Sequence, residues 1–305
     1  MRGKLIILAA ISLALVGAGC SQSANGGSVG QTPSPGLVNI GGGRAIYVQC
    51  TGSGSPTVIM VPGSRSSHQV WDSLRTGPNS DLTRSEGSVY ARVGQITRVC
   101  TYDRPGTTPA DGSTPASTLV TQPTTAQAGV ADLQAWLKAA GVSGPYIVVS
   151  HSWGGMIASL FASTHSTQIA GLVFVDPATP YLQTALTPAQ WNTLLGLETS
   201  LIDGSGLEVP NYEDSMDVVR KARLPTVPTV VITSDQAFDF GAGGPATWPA
   251  WGKAQAEFAA SLHADHITST NSDHLIPINQ PKLVTDAIVG VVEKARNQSA
   301  GPTPS

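Results

Sequence analysis

A serine hydroxyl becomes a nucleophile when a turn lifts it clear of the backbone and a base stands beside it. Ser152 meets the first condition. It lies in Ser150-His151-Ser152-Trp153-Gly154-Gly155, after the apolar run Tyr146 to Val149 and before Met156 to Ala162, which suits the start of a buried helix. A strand driven into a helix through a serine flanked by small residues is a nucleophile elbow. The turn is tight, so the positions two before and two after the serine must be small. Here they are Ser150 and Gly154, giving S-x-S-x-G where G-x-S-x-G is commoner. The following helix directs its N-terminal N–H groups at the place where an oxyanion would develop.

Six histidines compete for the role of base. His274 follows a strand near the end of the chain, in a loop bracketed by Asp273 and Pro277, and is the expected base. His151 adjoins the serine but lies inside the turn and is expected to point elsewhere. His68 reads as a loop residue before a contact to substrate, and His165 as a helix-end residue. His263 and His266 flank Asp265, yet a helix end entering a strand accounts for them better than a metal does. The sequence contains no G-x-G-x-x-G after a strand and no P-loop, so neither metal nor cofactor is expected.

The elements around these residues alternate. Ala45 to Cys50 and Thr57 to Val61 read as strands separated by a Gly/Ser/Pro turn, and Arg98 to Tyr102 as another. Thr124 to Ala140 is a helix with Val130, Leu133, Leu137 and Ala140 on one face, closed by Gly141. Gly171 to Val175 is the continuous apolar run of a strand buried on both faces, ending at Asp176-Pro177. Residues 178–224 read as an inserted lid, helical around Pro188 to Leu197, with Tyr181, Leu182, Trp191, Leu194 and Leu195 as candidates for its inner face. Thr229 to Thr233 (strand, ending at Asp235), Trp248 to Leu262 (helix), His266 to Thr270 (strand) and Leu283 to Arg296 (helix) complete the order. Strands alternating with helices give an α/β class, with a mostly parallel central sheet covered on both faces and a small lid insertion.

Together these stretches resemble the α/β-hydrolase family, over roughly residues 37–296. Val61-Pro62-Gly63-Ser64, with Trp71 beyond, is similar to the family's oxyanion turn, with Pro62 where His is usual. Tyr102-Asp103-Arg104-Pro105-Gly106 is similar to the loop after its third strand. Ser272-Asp273-His274-Leu275-Ile276-Pro277, then Gln280-Pro281-Lys282-Leu283-Val284, resembles the segment that delivers the catalytic histidine. The resemblance implies a Ser152–His274–acid triad, with the backbone N–H groups of Ser64 and Trp153 as oxyanion donors. Two acids stay open. Asp235 follows the strand that commonly carries the acid but arrives early, and Asp239 arrives late. Asp176 falls where some branches, the haloalkane dehalogenases among them, carry theirs, and is preferred. Those branches use Asp as nucleophile; Ser152 argues against their chemistry here.

The chain has 305 residues, a net charge of −3 and 12% charged residues, which gives no reason to expect a nucleic-acid partner. Met1 to Lys4 is a basic head, Leu5 to Val16 a short apolar core, and Gly17-Ala18-Gly19-Cys20 resembles a bacterial lipobox with Gly17 in place of Leu. The expectation is a lipoprotein-type signal peptide over 1–19, lipidation at Cys20, a flexible linker over 20–36, the hydrolase domain over 37–296 and a disordered tail over 297–305. Such a protein would be held by its lipid anchor to the outer side of the cytoplasmic membrane. In that oxidising compartment Cys50 and Cys100 are expected to form a disulfide. The expected activity is hydrolysis of carboxylic esters or related small acyl compounds through an acyl-enzyme. The alternatives are a non-catalytic binding lipoprotein of the same fold, or an acyltransferase or amidase on the same elbow.

Overall fold

Strands that are apolar on both faces can be buried only between two layers of helices, and that requirement organises this molecule. The computed structural model describes residues 35–77, 80–110 and 112–299. Strands β1 (Gly36–Gly41) and β2 (Arg44–Thr51) form a hairpin, followed by β3 (Thr57–Val61). Helix α1 (Gln69–Asp72), a small hairpin of β4 (Ser73–Arg75) and β5 (Leu82–Arg84), and α2 (Val89–Gly94) lead to β6 (Val99–Asp103). Then come α3 (Ala126–Ala139), β7 (Tyr146–His151), α4 (Gly154–Thr164) and β8 (Ile169–Val175). An insertion of α5 (Leu182–Ala185), α6 (Pro188–Ser200) and α7 (Tyr212–Val219) precedes β9 (Thr229–Ile232), α8 (Trp248–Ser261), β10 (Asp265–Ile267), α9 (Ile276–Asn279) and α10 (Pro281–Ser299).

The main sheet runs β1-β2-β6-β3-β7-β8-β9-β10, antiparallel at β1–β2 and β2–β6 and parallel from β6 to β10. Along β3, Ile59 and Val61 join one apolar layer with Leu133 of α3, Ile157 of α4 and Phe258 of α8. Val58 and Met60 join the other, with Val89 of α2 and Ile288 of α10. Helix ends follow their local sequence. Thr125 caps α3 by accepting the Ala128 N–H, and Thr187 with Gln190 forms a capping box on α6 behind Pro188. Cys50 faces Cys100 across the antiparallel β2–β6 pair with Cα atoms 4.1 Å apart, and a disulfide joins them.

Three expected boundaries shift. Gly36, assigned to the linker, already pairs with Val48 in β1. Asn297 to Ser299, assigned to the tail, continue α10, where the Ser299 hydroxyl donates to Ala295 O. The strand expected over 266–270 stops at Ile267, because the Asp235 carboxylate draws the N–H groups of Thr270, Asn271 and Ser272 into a turn, with Asn271 at φ 48°. The expected signal peptide, Cys20 and linker residues to 34 lie outside the described residues. Among the described residues no helix is long and apolar enough to cross a membrane.

Candidate active site

The parallel strands β3, β7, β8 and β9 end at one edge of the sheet, and each hands a residue to the same place. This is where open α/β sheets bind ligands. Ser152 leaves β7 at φ 53°, in the left-handed region that a side chain occupies at a cost of about 1–3 kcal/mol. Backbone bonds hold it there: its N–H donates to Val175 O at the end of β8, and its carbonyl accepts the Ala178 N–H. The small residues around it are required by close approach. A Cβ on Gly154 would stand 2.6 Å from the carbonyl oxygens of Val61 and Pro62, and one on Gly155 would stand 2.6 Å from Pro177 Cβ. Ser150 is fully buried.

Asp176 follows β8 at φ 42° and is completely buried. Its Oδ2 lies 2.6 Å from His274 Nδ1. Its Oδ1 accepts the Ser234 N–H at 2.9 Å and the Gln255 side-chain amide at 3.0 Å. Burial alone would push this carboxyl up, but the His274 contact and those two further donors outweigh it and hold it below the ordinary carboxylate value. An ionised carboxylate only accepts, so His274 donates its Nδ1–H to Asp176, and Nε2 is the ring nitrogen free of that contact. Phe238 stacks on the imidazole at 4.5 Å between centroids, and Trp251 meets it edge-on at 5.6 Å. Asp235, the other candidate acid, is committed to the amides of residues 270–272 and does not contact His274.

The His151 ring lies 4.5 Å from that of His274, between centroids. Its Nε2–H donates to His274 O at 2.8 Å, so the residue before the elbow serine fixes the backbone that carries the other histidine. Full burial and the nearby His274 push its pKa down to about 3, leaving it neutral. His68 lies against Asp103 at 3.0 Å and under Tyr47. His266 contacts Thr233 at 2.8 Å, and His165 stacks on Phe161 at the end of α4.

Ser64 and Trp153 flank Ser152 from the β3 turn and the start of α4, and no backbone acceptor among the described residues takes either N–H. The turn at Ser64 is braced from behind by a pair that the sequence did not disclose. The Arg104 guanidinium donates to Pro62 O at 2.8 Å and to Gly63 O at 2.6 Å, and its Nε–H and an Nη2–H pair with Glu208 at 2.6 and 2.9 Å. Glu208 also accepts the Arg65 N–H at 2.7 Å. Both side chains are buried. An arginine directly after a buried strand, in Asp103-Arg104-Pro105, was the signal available for half of this pair; its partner is 104 residues away.

Ser152, His274 and Ser64 open on one cavity of about 380 Å³. Leu182 and Leu194 from the expected inner face of the insertion line it, whereas Trp191 is buried in the core. Tyr212, Phe238, Phe240 and Trp251 form much of the remaining wall. Glu198 of α6 also lines it, with Oε2 buried and accepting no hydrogen bond from any described residue. Burial and the neighbouring Glu208 push its carboxyl up to about 7, against a smaller opposing effect of Arg65.

Comparison with known proteins agrees with this architecture. The family model described as "Alpha/beta hydrolase family" matches residues 58–295, and the chain belongs to that family. The uncharacterized protein YqjL of Bacillus subtilis is 25% identical over 252 residues, 82% of this chain and 88% of that protein. An uncharacterized Schizosaccharomyces pombe protein is 32% identical over 145 residues, 43% of this chain; the match spans 26% of that longer protein. Among solved structures, a thermophilic esterase from Thermogutta terrifontis superposes with a TM-score of 0.53 at 17% identity, covering 87% of this chain and 99% of the esterase.

Proposed function

We propose that the protein is a serine hydrolase of carboxylic esters or related small acyl compounds, with Ser152 as nucleophile, His274 as base and Asp176 as acid. The observation that carries this reading is the His274–Asp176 contact of 2.6 Å in the cavity that Ser152 enters from its elbow. Ser152 Oγ attacks the acyl carbon while His274 Nε2 takes its proton. The tetrahedral oxyanion accepts from the Ser64 and Trp153 N–H groups, and the protonated imidazole then returns its proton to the leaving alcohol. Water repeats the sequence on the acyl-enzyme. Asp176 stays ionised throughout and stabilises the imidazolium.

A cavity of about 380 Å³ with leucine and aromatic walls suits short or medium acyl groups. The fold shared with the Thermogutta esterase supports the class and says nothing of the substrate. We further propose that the protein is exported and anchored through Cys20, a reading supported by the Cys50–Cys100 disulfide, which belongs to an oxidising compartment. The kinetic test uses para-nitrophenyl esters of increasing acyl length. Ser152→Ala should lower kcat/KM by about a thousandfold or more, and hydrolysis at the wild-type rate would exclude Ser152 as nucleophile.

A further inference from the structure

A carboxylate oxygen withdrawn from water and given no donor is unfavourable, and such groups in folded proteins call for an explanation. Glu198 Oε2 is in that position. Among the described residues no donor reaches it, although the side chain stands in the wall of the Ser152 cavity. Its acidic neighbour Glu208 is different, because every contact of that carboxylate is spent on Arg104 and the Arg65 N–H.

The charge around the cavity decides what the missing partner is. Its ionisable lining residues are Glu198, Asp239, Tyr212 and His274, with no lysine or arginine among those described. Asp239 accepts the Gly241 N–H, and Arg65, on the turn beyond, offsets Glu198 less than Glu208 and burial oppose its ionisation. The lining is therefore acidic. We propose that Glu198 makes this cavity selective for substrates carrying an ammonium group, whose N–H donates to the Glu198 carboxylate while the attached alkyl chain lies along Leu182, Leu194 and the aromatic wall. This rests on the cavity being the substrate site of a hydrolase, and it names the class of substrate. Binding of the cation favours the ionised carboxylate, so affinity rises with pH until Glu198 is fully deprotonated.

The test is a calorimetric titration of the wild-type protein and Glu198→Gln with n-hexylammonium and with its neutral isostere n-hexanol. At about pH 8 the wild type should bind the ammonium at least about tenfold more tightly than the alcohol, the size of one charge-assisted hydrogen bond. Glu198→Gln should lose that preference and keep its affinity for hexanol, which also reports that the variant is folded. In the wild type alone, the preference should fall as the pH drops through about 7 and level off near that of Glu198→Gln. Equal affinities for the two probes, or a preference that survives Glu198→Gln or shows no pH dependence, would overturn the proposal. Fluorophosphonate labelling of the same samples separates the two claims. Labelled Ser152 without an ammonium preference overturns the cation site and leaves the hydrolase standing. A preference without labelling keeps the cation site and overturns the hydrolase.

Discussion

At the scale of single residues, Ser152 and His274 were legible as candidates because each sits in a local pattern: a serine between small residues at a strand-to-helix turn, and a histidine after a late strand. The candidate acid was not legible in the same way. Asp176 and Asp235 both follow parallel strands, and what separates them is where each carboxylate is spent. Asp235 is consumed by three amides of one turn, whereas Asp176 meets His274 across 98 residues of sequence. The two therefore make opposite predictions. Asp176→Asn should leave the fold intact and lower kcat by about three to four powers of ten, because an amide at this position stabilises the wrong imidazole tautomer. Asp235→Asn should keep kcat within about tenfold and instead lower thermal stability by loosening residues 270–272. Steady-state kinetics beside thermal melts of the two variants reads both effects, and the reverse pattern would exchange the roles of the two acids.

Elements position these residues through contacts that composition and periodicity do not encode. Helix α4 starts against β3 with no Cβ between them, and the turn after β3 is tied by Arg104 to Glu208 in the insertion between α6 and α7. The apolar strands were readable because burial on both faces leaves a continuous apolar run. Helix α7, the β4–β5 hairpin and the Arg104–Glu208 pair were not, since the hairpin is short and the others depend on partners distant in sequence. Removing one member of a buried ion pair leaves the other charge unpaired, at a cost of about 3–5 kcal/mol. Glu208→Ala should show that loss in urea unfolding. It should also lower kcat for neutral esters, because the turn carrying the Ser64 N–H is no longer braced. A variant with wild-type stability and turnover would remove Arg104–Glu208 from the account of the oxyanion turn.

For the whole molecule, the alternation of strands and helices disclosed the α/β-hydrolase architecture, and the last short strand ends early where the Asp235 carboxylate takes over backbone N–H groups. Two properties belong to this scale. The disulfide closes the loop from Cys50 to Cys100, so the Cys50→Ala/Cys100→Ala variant should lose about 2–4 kcal/mol in denaturant unfolding. Acid should destabilise the protein through His151. Its pKa is about 3 when folded, against an ordinary 6.5, so the unfolded chain binds the proton first. The stability due to its burial is complete above about pH 6.5 and is lost as the pH falls toward 3. His151→Gln should flatten that part of the stability curve, as measured by urea midpoints across the range. The central claim, that the elbow carries an activated serine, is tested most directly by fluorophosphonate labelling of the folded protein beside Ser152→Ala, with the modified peptide identified by mass spectrometry. The account predicts stoichiometric modification at Ser152 and none in the variant; a folded wild-type protein that remains unmodified, or is modified elsewhere, would contradict it.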